Sequence, residues 1–279
     1  VTLHAPVPYA EVIGDPIAQS KSPMIHKHWL RSLTLAGDYR HAHVTAAGLA
    51  EYVAARRDDS DWRGCNVTMP HKQAIMPLLD QLDPLAVRIG AVNTVVRDAD
   101  GTLTGFNTDA PGCMEPLAAL LAEQRRRVLV LGNGGAARAI LVALIDAGQT
   151  ITLAGRNPAK ARGLADELAP GAQVVDLARF AWAGPAAYDL VINASPLGMV
   201  GNPPLPFDLS HLAPDAVVYD IVTAPLVTPL LASARGAGLA TVDGLAMLIG
   251  QAAFAFEHFY GARPCRDDGD AALRAALTA

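Results

Sequence analysis

The chain has 279 residues, more than one average domain, and 51% of them are hydrophobic, which supplies material for two sizeable cores. Its formal net charge of −5 gives no general basic field, and no apolar run approaches the roughly 20 residues that span a bilayer, so neither nucleic acid nor membrane is an expected partner. Cys65, Cys113 and Cys265 are odd in number, widely spaced and without a C-x-x-C, which excludes a disulfide framework and a zinc cluster as expectations and suits a cytoplasmic protein.

In chain order the first third alternates apolar strands with helical patterns. Tyr9 to Gly14 reads as a strand, Pro23 to Leu33 as a helix, and Tyr39 to Val44 as a second strand. A strand carrying Asn66 and Thr68 follows. Pro70 then suits a first helical position, and the pattern predicts a helix over His71 to Leu82 with Lys72 in its first turn. A hairpin is predicted from Ile89 to Arg97 and from Thr102 to Asp109, turned by Asp98-Ala99-Asp100-Gly101. At period two, Gly105, Asn107 and Asp109 share one face of its second strand. Pro111-Gly112 opens a helix, and the basic run Arg125-Arg126-Arg127 reads as a solvated loop.

From Val128 the pattern becomes repeated strand and helix. Strands are predicted at 128–132, 150–154, 174–175, 190–193 and 217–220, with helices at 136–147 and 158–168, which predicts a doubly wound parallel sheet. A long apolar helix, Gly244 to Tyr260, has no strand partner and is assigned back to the first domain. The expected fold is therefore α/β in two domains. Residues 1–110, completed by 244–279, bind substrate, and 111–243 form a Rossmann-like nucleotide domain. Nothing resembling a leader opens the chain, and no period of 20 to 50 residues repeats.

Gly132-Asn133-Gly134-Gly135-Ala136-Ala137 is a G-x-G-x-x-A directly after a predicted strand and before a helix, the context in which a dinucleotide pyrophosphate is bound. About 20 residues on, where an NAD site carries an acid, stand Gly155 and Arg156, with Lys160 one turn later. Two cations there favour the 2′-phosphate of NADP. Ser20 and Ser22, one residue apart, can donate to a single carboxylate. Taken alone, Ser22 before Pro23 reads instead as a helix N-cap. His26, His28, His41, His43, His71, His211 and His258 show no metal-ligand spacing and read as packed or surface residues, with His71 set apart by its neighbour Lys72. No metal is expected. Met114, Met199, Met247 and the aromatics of the last helix read as core. The amine of Lys72, the carboxylate of Asp109 and a redox cofactor together point to hydride transfer on a polyol acid.

On these residues the chain resembles the shikimate dehydrogenase family over nearly its whole length. The motifs occur in order: 14–23 with Ser20-Lys21-Ser22-Pro23, 66–72 ending in His71-Lys72, 90–94, 105–109, 132–137, 193–199, 219–222 and 244–251. The resemblance implies NADP-dependent reduction of 3-dehydroshikimate to shikimate in a cleft between two α/β domains. It implies that Ser20 and Ser22 hold the substrate carboxylate, against the capping reading, while Thr68, Asn93, Asp109 and Gln251 meet the ring hydroxyls, with Asn66 also among the substrate-binding residues. Lys72 and Asp109 handle the proton, and Ser195 and Gly244 join the glycine loop, Arg156 and Lys160 at the cofactor.

Three positions depart from the family pattern. Gln19 stands where His is frequent, His71 where an aromatic such as Phe is common, and Thr223, counted with the substrate residues, where a Tyr usually approaches the ligand. These leave open a quinate/shikimate paralogue with NAD tolerance. Readings from other classes are a non-catalytic ligand sensor on the same fold and an enzyme of similar architecture acting on a folate or amino acid. The Lys72 and Asp109 pair argues against the first, and the Ser20/Ser22 loop with Asn66-Val67-Thr68 against the second. A monomer or a homodimer is expected, with a cyclic hydroxy acid as ligand.

Overall fold

The chain folds as two compact units, Val1–Thr108 with Gln251–Ala279, and Asp109–Gly250. The computed structural model describes residues 7–177, 188–206, 208–266 and 269–278, and the side chain of His211 lies outside the described set.

In the first unit the described elements are β1 (Tyr9–Gly14), α1 (Ser22–Ser32), β2 (Asp38–His43), α2 (Leu49–Arg57), β3 (Trp62–Val67), β4 (Gln81–Leu82), α3 (Pro84–Ile89), β5 (Thr94–Arg97) and β6 (Leu103–Phe106). Its sheet runs β2-β1-β3-β5-β6-β4, with β1 parallel to both neighbours and β5 antiparallel to β3 and β6. Every residue of β1 is buried. Tyr9 and Ile13 pack in a cluster with Trp62, Ile75 and Leu103, while Ala10 and Val12 pack with Tyr39, Ala255 and Phe259. The alternation of a strand thus serves two cores, one on each face of the sheet.

Three expectations for this unit are corrected. No helix spans His71 to Leu82: among the described residues that stretch holds turns, one 3-10 turn over Met76–Leu78, and β4. A helix there would place Pro77 in its interior, where the missing N–H and the ring's clash with the carbonyl of Gln73 break it. The hairpin begins at Thr94, not Ile89, because Ile89 ends α3. That helix is capped by the Asp83 side chain on the Leu85 N–H, 2.9 Å, and stopped by Gly90 at φ 68°. Lastly, β6 stops at Phe106. The Thr108 N–H turns off the ladder to the Asn93 side-chain oxygen, 2.7 Å, and Asp109 opens a helix in the second unit.

That second unit comprises α4 (Asp109–Met114), α5 (Ala118–Glu123), β7 (Arg127–Leu131), α6 (Gly135–Asp146), β8 (Thr150–Gly155), α7 (Pro158–Leu168), β9 (Gln173–Asp176), β10 (Tyr188–Asn193), β11 (Leu212–Asp220), α8 (Pro229–Gly236) and β12 (Ala240–Val242). All pairings are parallel in the order β12-β11-β10-β7-β8-β9, a doubly wound sheet whose order reverses between β7 and β10. The remaining helices are α9 (Gly244–Tyr260), which divides between the units after Gly250, and α10 (Gly269–Thr278) of the first unit. Of the basic run only Arg125 lies exposed in a loop. Arg126 is buried and Arg127 opens β7, bonded to Asp189 at 2.7 Å, a contact that holds the Asp189 carboxyl below the usual carboxylate range.

Candidate active site

The loop after β1 carries the two serines. Lys21 occupies the N-cap position of α1 without a side-chain cap bond, and Ser22 is the first helical residue, so the capping reading of Ser22 is withdrawn. Instead the Ser20 hydroxyl donates to the Ser22 hydroxyl, 3.2 Å, and accepts the Ser22 N–H, 3.3 Å. The Lys21 ammonium ties this loop to the Leu277 carbonyl at the end of α10, 2.5 Å. Gly14 is required by the same corner: a Cβ there would stand 2.5 Å from the Thr68 methyl and 2.9 Å from the Met69 carbonyl oxygen.

Beside this loop the sheet ends in a buried amide network. Asn66 donates to the Thr94 hydroxyl, 3.1 Å, and the Asn93 carbonyl, 3.4 Å, and accepts from the Tyr39 phenol at 2.6 Å. Asn93 donates to the Thr108 hydroxyl, 2.9 Å, and accepts the Thr108 N–H. Asn107 donates to the Ala91 carbonyl, 2.9 Å. A buried amide must be matched on both ends, so each bond fixes which end is donor and which is acceptor. Ser20, Ser22, Asn66, Thr68, Asn93 and Gln251 thus all belong to the first unit, as does Lys72, half-buried in the turn after β3. The Lys72 carbonyl accepts the Val92 N–H at 2.7 Å, which fastens that turn to the segment carrying Asn93. His71 is a packed residue whose Nε2 meets the Val44 carbonyl at 2.6 Å.

In the second unit the glycine loop leaves β7 at the reversal of strand order. Gly132 has φ 115°, and a Cβ on it would stand 2.7 Å from the Ala194 carbonyl oxygen, so the turn and the close approach to the chain leaving β10 both exclude a side chain. At Gly134 a Cβ would meet no protein atom within 4 Å. Packing therefore does not explain that glycine, whereas a phosphate seated against the free N–H groups of α6 does, and the loop fits a dinucleotide. Gly135 and Ala136 open α6, while Ala137 is buried, so it serves the packing of α6.

Arg156 and Lys160 are exposed where β8 meets α7, and the Asn157 side chain caps that helix on the Lys160 N–H, 3.0 Å. Ser195 is held by Asn193, whose side-chain oxygen accepts both its N–H, 3.1 Å, and its hydroxyl, 2.7 Å. Asn193 in turn donates to Asp220, 3.0 Å, which also accepts from Thr228, 2.7 Å, and the Val222 N–H, 3.1 Å. Burial raises the Asp220 carboxyl above its ordinary range, opposed by these donors. Gly244 has a packing reason of its own, since a Cβ would lie 2.3 Å from the Val222 carbonyl oxygen. Thr223 is half-buried just past β11, Asp109 is buried at the start of α4, and Met199 is exposed, not core. Among the described residues no group of His, Cys, Asp or Glu is arranged to hold a metal ion. Nor is any described helix long and apolar enough to cross a membrane.

Sequence reasoning missed Tyr39, read only as the start of a strand, and the Asp220–Thr228 pair. Polarity inside an apolar strand end was the available signal for Asp220.

Comparison with known proteins accounts for both units. Residues 12–95 match the family model of the shikimate dehydrogenase substrate binding domain, and 127–201 match a model described as NADP oxidoreductase, coenzyme F420-dependent. The shikimate dehydrogenase (NADP(+)) of Sphingopyxis alaskensis is 54% identical over 98% of this chain and 97% of its own. The chain belongs to the shikimate dehydrogenase family. The shikimate 5-dehydrogenase of Thermus thermophilus, in complex with NADP(H) and shikimate, is similar in structure, with a TM-score of 0.85 and 36% identity over 96% of this chain and 99% of that one. Quinate dehydrogenase of Corynebacterium glutamicum, in complex with NAD, also shares the fold, with a TM-score of 0.87 and 34% identity over 98% of this chain and 99% of that one.

Proposed function

We infer that this family member interconverts 3-dehydroshikimate and shikimate with NADP as cofactor. The observation that carries the reading is 54% identity, over 98% of the chain, to a shikimate dehydrogenase (NADP(+)). In this reading Ser20 and Ser22 donate to the substrate carboxylate, and Asn66, Thr68, Asn93 and Gln251 meet the ring hydroxyls, with Thr223 beside the ligand. The nucleotide is held by Gly132, Gly134 and Gly135, with Ala136 and Ala137 setting the helix behind them and Ser195 and Gly244 shaping neighbouring turns. Arg156 and Lys160 face its 2′-phosphate.

Bound NADPH supplies the hydride, and the protein's own residues manage the proton. Reduction of the ring ketone adds a hydride to carbon and a proton to oxygen. Lys72, as ammonium, donates that proton and recovers it in the reverse direction, while Asp109 accepts a bond from the neighbouring hydroxyl and orients the amine. The domain assignment proposed with this chemistry is a substrate domain of 1–110 with 244–279 and an NADP domain of 111–243.

Rates of the purified protein with shikimate and quinate, each against NADP and NAD, test the reading. Turnover concentrated in the shikimate and NADP pair supports it. Comparable rates with quinate and NAD would move the assignment to a quinate/shikimate dehydrogenase, the reading that Thr223 favours.

A further inference from the structure

Two turns of the second unit meet at the end of β8. Gly155, the last residue of that strand, is buried, and unlike Gly132 it does not have a left-handed φ, so its backbone does not call for glycine. Space does. A Cβ on Gly155 would stand 3.1 Å from the Ala161 methyl of α7 and 3.4 Å from the side-chain nitrogen of Asn133, the residue between the first two glycines of the turn after β7. The Gly132 N–H bonds the Ala154 carbonyl at 2.8 Å, which fastens that turn to β8 one residue before its end. Asn133 is thereby seated against the bare backbone of Gly155, the residue that Arg156 follows.

The Asn133 side chain is half-buried, and among the described residues its amide has no hydrogen-bond partner. The Arg156 and Lys160 side chains, both exposed, likewise bond to no described residue. An amide carries two donor hydrogens and an acceptor oxygen, so one held in a packed corner without a protein partner is matched from outside the chain. Helix capping does not employ it either, since Gly134 is the N-cap of α6 and no side chain bonds there. In a doubly wound nucleotide domain the end of the second strand is where the adenosine ribose lies, with its 2′ substituent toward the residues about 20 positions beyond the glycines.

Resting on the NADP assignment above, we propose that Asn133 is a further specificity-determining residue of the nucleotide site, whose amide donates to the ribose 2′-phosphate together with Arg156. Gly155 leaves the amide its seat, and a side chain there would crowd it. A carboxylate in the same seat could only accept: it would repel the phosphate and suit the ribose hydroxyls of NAD.

The test measures Kd of the full chain for NADP and for NAD by calorimetric titration without substrate, because the two ligands differ only in the 2′-phosphate. Asn133→Ala should weaken NADP roughly tenfold, as for one hydrogen bond to a charged group, and NAD by no more than about threefold. Asn133→Asp should weaken NADP by roughly a further tenfold and bind NAD at least as well as the parent, through the like charge it sets beside the phosphate. Retained NAD binding shows that each variant is folded.

Equal losses for the two nucleotides in either variant, or a preference for NADP that survives both substitutions, overturn the proposal and leave Asn133 a solvated turn residue. The parent separates this from the reading it rests on. A parent that binds NADP no tighter than NAD overturns the 2′-phosphate assignment itself, Arg156 included, whereas a parent that prefers NADP and keeps that preference as Asn133→Ala overturns the role of Asn133 alone.

Discussion

Lys72 and Arg156 carry the two residue-scale predictions, because each is assigned a charge whose loss has a different kinetic signature. Lys72 stands in a turn fastened by its own carbonyl to Val92 N–H, so removing its side chain leaves the backbone bond at 2.7 Å in place. Lys72→Ala should lower kcat by about 10² to 10⁴, the span of a general acid–base, with a smaller effect on KM. Steady-state kinetics check it: an unchanged kcat with a raised KM would make Lys72 a binding residue only. Arg156 is exposed just past the end of β8. Arg156→Ala should raise KM for NADP by roughly 10- to 100-fold, as for one charged hydrogen bond of about 1.5 to 3 kcal/mol, and leave KM for NAD near its parental value. If both cofactors respond alike, Arg156 does not read the 2′-phosphate. The place of Gly134 in the turn between β7 and α6 and of Arg156 just past β8 was legible in the sequence because the signal is local: a strand, a fixed spacing and a missing acid. Tyr39 was not, since its buried bond to Asn66 joins residues 27 positions apart in the chain.

Elements built on βα repetition were legible for the same local reason. β7, α6, β8, α7, β10 and the parallel order of the second sheet follow from apolar runs of strand length alternating with helical patterns. The stretch from Lys72 to Asp109 was misread because apolar periodicity was weighed above Pro77, and because Asp83, Pro84 and Gly90, a helix's full start and stop signals, lay inside or beside the expected helix and hairpin. Loops at the ends of β10 and β11 are where an element-scale prediction belongs. Asp220 receives three donors from three segments: Asn193 at the end of β10, Val222 just past β11, and Thr228, which caps α8. Asp220→Ala leaves all three buried donors without that acceptor, and should lower unfolding free energy by about 3 kcal/mol. Because Asn193 positions Ser195, KM for NADP should also rise. Urea unfolding with matched kinetics checks both, and a variant as stable as the parent would show that the loops hold without Asp220.

At the scale of the whole molecule, the first unit's core has a titration built into it. His26 is fully buried between Tyr39, Trp29, Phe256 and Phe259, and neither ring nitrogen has a hydrogen-bond partner of acceptable geometry. Burial pushes its imidazole down to about 3, with Asn66 opposing the shift. In the unfolded chain the same group titrates near 6.5. Between those values the unfolded state binds a proton that the folded state refuses, so stability rises with pH across the window. The contribution is intact above about 6.5 and is lost as pH falls toward 3. Asp220 works in the opposite sense, since its raised folded value favours the folded state at low pH, and that contribution fades as pH rises through it. Lowering the pH from 7.5 to 5 should therefore cost the parent about 2 kcal/mol through His26, from roughly 1.5 pH units at about 1.36 kcal/mol each. His26→Phe keeps an aromatic ring at the site and removes the titration, so its stability should change by about 2 kcal/mol less than the parent's over that interval. Urea midpoints of both proteins at the two pH values measure the difference, and parallel pH profiles would mean that the histidine is protonated in the folded core.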